Sequence, residues 1–165
     1  MEPGAVFALM GAGIWFFLHM AGRDQGPQHE NRNMKPMPLP RSCSNDTATH
    51  EANHGAVALF YNGFVVELEI EPAGRASCFA PTDAYQAAMA AAGSLVSGRW
   101  EPGTRDYDLC STYSARAGIT IDDARNLARK ALNDPACRRG RDRIAAALRK
   151  KKRLHGSEIK TIYLC

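Results

Sequence analysis

Residues 55–72 read GAVALFYNGFVVELEIEP, and the fold depends on how this stretch is read. Two apolar runs rich in β-branched and aromatic residues flank Asn62-Gly63, a pair that readily supplies the two positive φ angles of a type I′ turn. The pattern predicts a β-hairpin in which AVALFY pairs with FVVELEI. In the second run Val66, Leu68 and Ile70 alternate with Glu67, Glu69 and Glu71, so one face of that strand is expected in the core and the other, acidic, in water.

Downstream, Pro81-Thr82-Asp83 opens a predicted helix, AYQAAMAAAGSLVSG, closed by Gly98, with a capping side chain ahead of an alanine-rich run. Trp100 and the Pro102-Gly103 turn lead to a predicted strand over 107–115, around DLCSTYSA, which Gly118 breaks. In ITIDDARNLARKAL, residues 119–132, Ile121, Ala124, Leu127, Ala128, Ala131 and Leu132 recur at helical spacing. Thr120 and Asp123 form a capping-box pattern, and Asn133-Asp134-Pro135 stops the helix. A basic helix, GRDRIAAALRKKKR, and a final strand, EIKTIYLC, complete the chain. The expected order is β-β-α-β-α-α-β. That is an α+β class: a small, mainly antiparallel α/β sandwich with helices on one face.

Upstream, residues 5–22, AVFALMGAGIWFFLHMAG, carry no Asp, Glu, Lys or Arg. The run falls between a secretory h-region and a minimal membrane span of about 20 residues. Residues 1–22 are expected to be a signal peptide cleaved near Ala21-Gly22, which makes the protein secreted; a retained anchor is the alternative. An anchor followed by these positive charges would hold the domain on the cytoplasmic side. Residues 23–41, polar and rich in Pro, Gln and Asn, read as a disordered linker or pro-segment, and 42–165 as a single domain. Asn45-Asp46-Thr47 forms a glycosylation sequon.

The formal charge of +4 is unevenly placed. Thirteen Lys and Arg between Arg125 and Lys160 face only Asp134, Asp142 and Glu158, an asymmetry that points to an anionic partner or to a solvated basic face. Lys150, Lys151, Lys152 and Arg153 could bind phosphates or anionic lipid heads, mark a dibasic processing site, or complement a helix C-terminus. Nucleic acid is disfavoured, because Tyr163 is the only aromatic residue after Tyr113 and stacking surfaces are missing.

Five cysteines, at 43, 78, 110, 137 and 165, include no close-spaced pair, which argues against zinc clusters and thioredoxin-like chemistry. Behind a signal peptide their wide spacing suits long-range disulfides with one thiol left over. The segment Leu109-Cys110-Ser111-Thr112-Tyr113, then Gly118-Ile119, DDARNLARKAL, Cys137 with Gly140, and GSEIKTIYLC resembles the fungal killer-toxin family typified by killer protein four. CFAPTDAYQAA and GRW are similar to necrosis-inducing fungal effectors. The resemblance covers roughly residues 78–165 and implies a disulfide-stabilised secreted toxin or effector. It would pair Cys43 with Cys137 and Cys110 with Cys165, leaving Cys78 single. Those toxins usually hold more cysteines, and the basic insertion Arg141 to Arg153 has no counterpart in them.

A second constellation lies just before the stretch quoted first. His50-Glu51-Ala52-Asn53-His54 matches H-E-x-x-H, which on a helix sets two imidazoles on one face to bind zinc with the glutamate as base. Gly103-Thr104-Arg105-Asp106 looks like the Gly-Thr-x-Asp segment that supplies the third ligand in fungal aspzincin metallopeptidases, which makes Asp106 the candidate here. Against this, the flanking residues lack an apolar helical period, Gly55 is expected to end any helix at once, and fifty-one residues separate His54 from Asp106. His29 and His155 stand isolated among polar or basic residues.

The expected function is therefore a non-enzymatic secreted toxin or effector that binds a membrane or cell-surface target and takes no cofactor. The alternatives are a small zinc metallopeptidase using His50, Glu51, His54 and Asp106, and a membrane-anchored basic domain that binds anionic partners.

Overall fold

The computed structural model describes residues 43–98 and 100–165; the expected leader and linker, 1–22 and 23–41, lie outside them. The elements in chain order are α1 (Cys43–Phe60), β1 (Phe64–Glu69), β2 (Arg75–Phe79), α2 (Asp83–Ala92), α3 (Ser94–Ser97), α4 (Arg105–Ala117), α5 (Ile121–Asn133), α6 (Pro135–Lys151), β3 (Arg153–His155) and α7 (Gly156–Leu164). The class is α+β. The sheet is antiparallel with strand order β2-β1-β3, and no described helix is long and apolar enough to cross a membrane.

The centre of the fold is α1, where a strand was expected over 56–61. It packs against α6, α2, α5 and both strands of the β1–β2 hairpin, so Ala48, Ala52, Ala56, Val57 and Ala58 are all fully buried. Over residues 51–58 the helix is buried on every face, and its apolar residues there show no 3.6-residue period. Gly55 does not end it. A Cβ there would stand 2.9 Å from Leu68 Cδ1, so the glycine lets α1 lie close on β1.

Asn62 does take a positive φ, of 59°, but it closes a helix rather than a hairpin. Gly63 N–H donates to the Ala58 carbonyl and Asn62 N–H to that of Leu59, the two bonds of a Schellman cap. The chain then enters β1 directly, and the true hairpin pairs Phe64 with Phe79 through Glu69 with Arg75. Val65, Leu68 and Ile70 are buried, and the register slips between Val65 and Glu67.

Two further expected strands are helices. Across 107–115 the chain continues α4, in which Thr112 Oγ1 donates to the Asp108 carbonyl. In α7 Thr161 Oγ1 donates to that of Ser157. Hydroxyls that suggest β structure by composition here bond back one turn within the helix. Arg143 adds donors to the carbonyls of Ile162 and Tyr163 at the end of α7. The predicted helices α2, α5 and α6 do form; Thr120 and Asp123 cap α5 reciprocally, and Asp134 accepts from Ala136 and Cys137 N–H at the start of α6.

The pairing of Cys43 with Cys137 and of Cys110 with Cys165 is not formed, because Cys78, Cys110, Cys137 and Cys165 are free thiols. Cys137 is buried, with Sγ 3.7 Å from the Ala56 carbonyl, and Cys110 is buried beside Ser114. Cys165 lies exposed at the far end of α7.

Candidate metal centre

His50 and His54 are one turn apart on α1, so their imidazoles lie on one face of it. Asp106 is on the first turn of α4, which follows the Thr104 N-cap; an acidic side chain is favoured there by the helix dipole. The docking of α2 between α1 and α4 brings these three side chains together across the long separation in sequence.

The donor atoms form a small triangle. His50 Nε2 and His54 Nε2 lie 3.0 and 3.3 Å from Asp106 Oδ2, and 3.1 Å from each other. With zinc–ligand bonds of about 2.0–2.1 Å, the edge of a tetrahedral site is about 3.3–3.4 Å. His50, His54 and Asp106 would hold an ion through these three atoms, the number of protein donors found in catalytic zinc sites. Two imidazole nitrogens and one carboxylate oxygen also suit zinc chemically.

The tautomer of His54 is fixed from behind. Its Nδ1 lies 2.7 Å from the Met89 carbonyl. A carbonyl can only accept, so Nδ1 carries a proton in both states of the ring: the protonated imidazole also donates from Nε2 to Asp106, and the neutral one turns its Nε2 lone pair toward the site. The neighbouring Asn53 donates to the Ala92 carbonyl at 3.0 Å, so adjacent residues of α1 hold the last turn of α2. Burial penalises a charge on His54, but Asp106 and Glu51 outweigh it and raise the imidazole above its ordinary value. Asp106 feels the opposite balance. Burial would raise it, yet hydrogen bonds from His50 and His54 hold its carboxyl well below the usual range.

Glu51 is 5% exposed. Burial pushes its carboxyl up, against the pull of His54 and His50, a setting that favours a group able to take and return a proton. It opens onto a cleft of about 390 Å³ lined by the two histidines, Asp106, Met89, Leu109 and Tyr113. Residues 74–79 form another wall of the same cleft; they contain β2, which pairs with β1 on one side only.

His50, Glu51, His54 and Asp106, singled out from the sequence, therefore meet in one place. The Met89 carbonyl and the β2 edge carry no residue-type signal and were not legible in it. The basic run does not converge on this site. Lys151 pairs with Glu158, Lys152 with Glu71 at 3.0 Å, and Arg153 with Glu67 and Glu69. Of these four residues Lys150 alone makes no ion pair with a described residue. No protein-family profile, curated protein or solved structure matches the chain.

Proposed function

We propose that the protein is a small zinc-dependent peptidase of the H-E-x-x-H type, with His50, His54 and Asp106 as ligands and Glu51 as general base. The observation that carries the reading is the 3.0–3.3 Å triangle of donor atoms set beside a buried glutamate in an open cleft. Its composition matches the ligand set implied by the aspzincin resemblance, although the spacing between motif and aspartate does not.

Zinc, when bound, supplies Lewis acidity toward a carbonyl oxygen and toward water. Glu51 takes the proton from the attacking water at its carboxylate and delivers it to the leaving amine. Burial favours its protonated form, the direction that suits a carboxyl which takes a proton and returns it. His54, held through Nδ1 by Met89, keeps its orientation throughout. The substrate reading comes from β2. Its outer edge is unpaired among the described residues, and an extended peptide laid there would gain main-chain hydrogen bonds while its side chains reach the cleft wall. The toxin or effector reading has less support, since its disulfides are not formed and most of its basic run is paired within the fold.

The test is a comparison of wild type, Glu51→Gln and His54→Ala on an unstructured protein substrate, with zinc measured in each. Glu51→Gln is expected to keep one zinc and lose about 10²–10⁴-fold in kcat, and His54→Ala to lose the zinc. Zinc below a tenth of an equivalent in zinc-dialysed wild type would end the reading, as would full activity in Glu51→Gln.

A further inference from the structure

Gly93 stands at the break between α2 and α3 with φ −60° and ψ −43°. This is ordinary right-handed helical backbone, where alanine is more favourable than glycine. The residue directly follows a run of alanines, Ala90, Ala91 and Ala92, that occupy the preceding helical positions without difficulty. Neither backbone conformation nor helix preference accounts for a glycine here.

Space does. A Cβ at Gly93 would lie 2.5 Å from His50 Nε2 and 2.5 Å from His54 Nε2, so it would fall in the plane that bisects the line joining the two nitrogens. An ion bonded equally to both falls in that same plane. The methyl would stand about 2.0 Å from the midpoint of that line and the ion about 1.3 Å, so they can be separated by no less than about 0.6 Å and no more than about 3.3 Å. Over most of that range the methyl intrudes on the ion, since ligand carbons themselves stay about 3 Å from a bound zinc, and at 2.5 Å it overlaps both donor nitrogens wherever the ion sits. A side chain at position 93 therefore cannot coexist with His50 Nε2 and His54 Nε2 as they stand, and must displace one of these donors or the ion they share.

We infer that Gly93 is a positioning residue that keeps the metal position open by having no side chain. The inference rests on the metal reading above. Gly74 provides the matching control, since a Cβ there would run into the carboxylate of Glu51 and not into either imidazole.

The experiment uses the full-length chain and its Gly93→Ala and Gly74→Ala variants. Zinc stoichiometry, the cobalt(II) absorption spectrum and the unfolding midpoint of each metal-free protein are measured. Wild type and Gly74→Ala are expected to bind one zinc and give the intense visible bands of four-coordinate cobalt. Gly93→Ala is expected to lose at least about 100-fold in zinc affinity, beyond the effect of altering a supporting contact, and to lose those bands. Wild-type affinity and spectrum in Gly93→Ala overturn the inference.

A second measurement covers poor folding of Gly93→Ala and also a wild type that takes no zinc. Gly93→Ala is introduced into a His50→Ala/His54→Ala background and unfolding midpoints are compared. If the alanine lowers the midpoint in the wild-type background but not in that one, the clash is with the imidazoles, as inferred. Equal destabilisation in both backgrounds overturns it. A wild type without zinc would remove the metal reading, while this cycle would still report on what Gly93 makes room for.

Discussion

Glu51 has a carboxylate that burial makes reluctant to ionise, beside two imidazoles and a second carboxylate that pull its charge in opposite directions. The cysteines are tuned more simply. Burial raises the thiols of Cys78, Cys110 and Cys137 above their ordinary values, and thiols held protonated are slow nucleophiles. Brief alkylation of the native protein followed by peptide mapping should therefore label Cys165 and leave those three unmodified until the chain unfolds. Absence of label at Cys165, with a Cys110–Cys165 linked peptide, would show the disulfide that the structure lacks. At this scale the sequence was informative where chemistry depends on a side chain: His50, Glu51, His54 and Asp106 could each be named. It was silent on the Met89 carbonyl, which any residue type would supply, and on Gly93, whose contribution is an absence of atoms.

At the scale of elements, α1 shows why a correct local signal can lead to a wrong structure. Asn62 was read as needing a left-handed backbone, and it has one, but helix caps and hairpin turns make the same demand. What separates them is long-range. Residues 56–60 are surrounded by α2, α5, α6 and the hairpin, and the helix is fixed by those partners rather than by its own weak period. The β-branched and hydroxyl residues of α4 and α7 point to strands by composition yet lie in helices for the same reason, since propensity yields to packing. α5 was legible because one face is solvated and both ends carry their own caps. Asn62→Val places a β-branched residue at φ 59° and should cost about 1–2 kcal/mol. Asn62→Gly should be neutral or slightly stabilising. Urea midpoints for the two variants distinguish them, and equal effects would contradict the cap assignment.

At the scale of the whole molecule, two opposite charge patterns noted separately in the sequence cancel each other. Glu67, Glu69 and Glu71 on and after β1 meet Arg75, Lys152 and Arg153 from the flanking chain, and the hairpin is bound to the end of α6 along β3. Exposed pairs of this kind add little stability individually, which leaves the alanine-rich core as the larger contributor and, on the proposed reading, a bound ion as a second. The centre ties α1 to α4, two helices far apart in the chain, and an ion held only by the folded form stabilises it through mass action. With free zinc at 100 times its dissociation constant the gain is about 2.7 kcal/mol. Chelation should therefore lower the thermal midpoint by about 10 °C, and added zinc should restore it. A midpoint indifferent to chelator would show that no ion is held at the three donors.

The contacts that join α1 to the end of α2 bear on folding order as well. Asn53 and His54 are oriented by carbonyls of α2, and Asp106 arrives only when α4 has packed behind it. A chain that has formed its helices but not assembled them presents two loosely held imidazoles and no third ligand. On the proposed reading, metal capture thus waits for the non-local packing of α2 and α4 onto α1, and the helix that carries His50 and His54 does not complete the peptidase centre by itself.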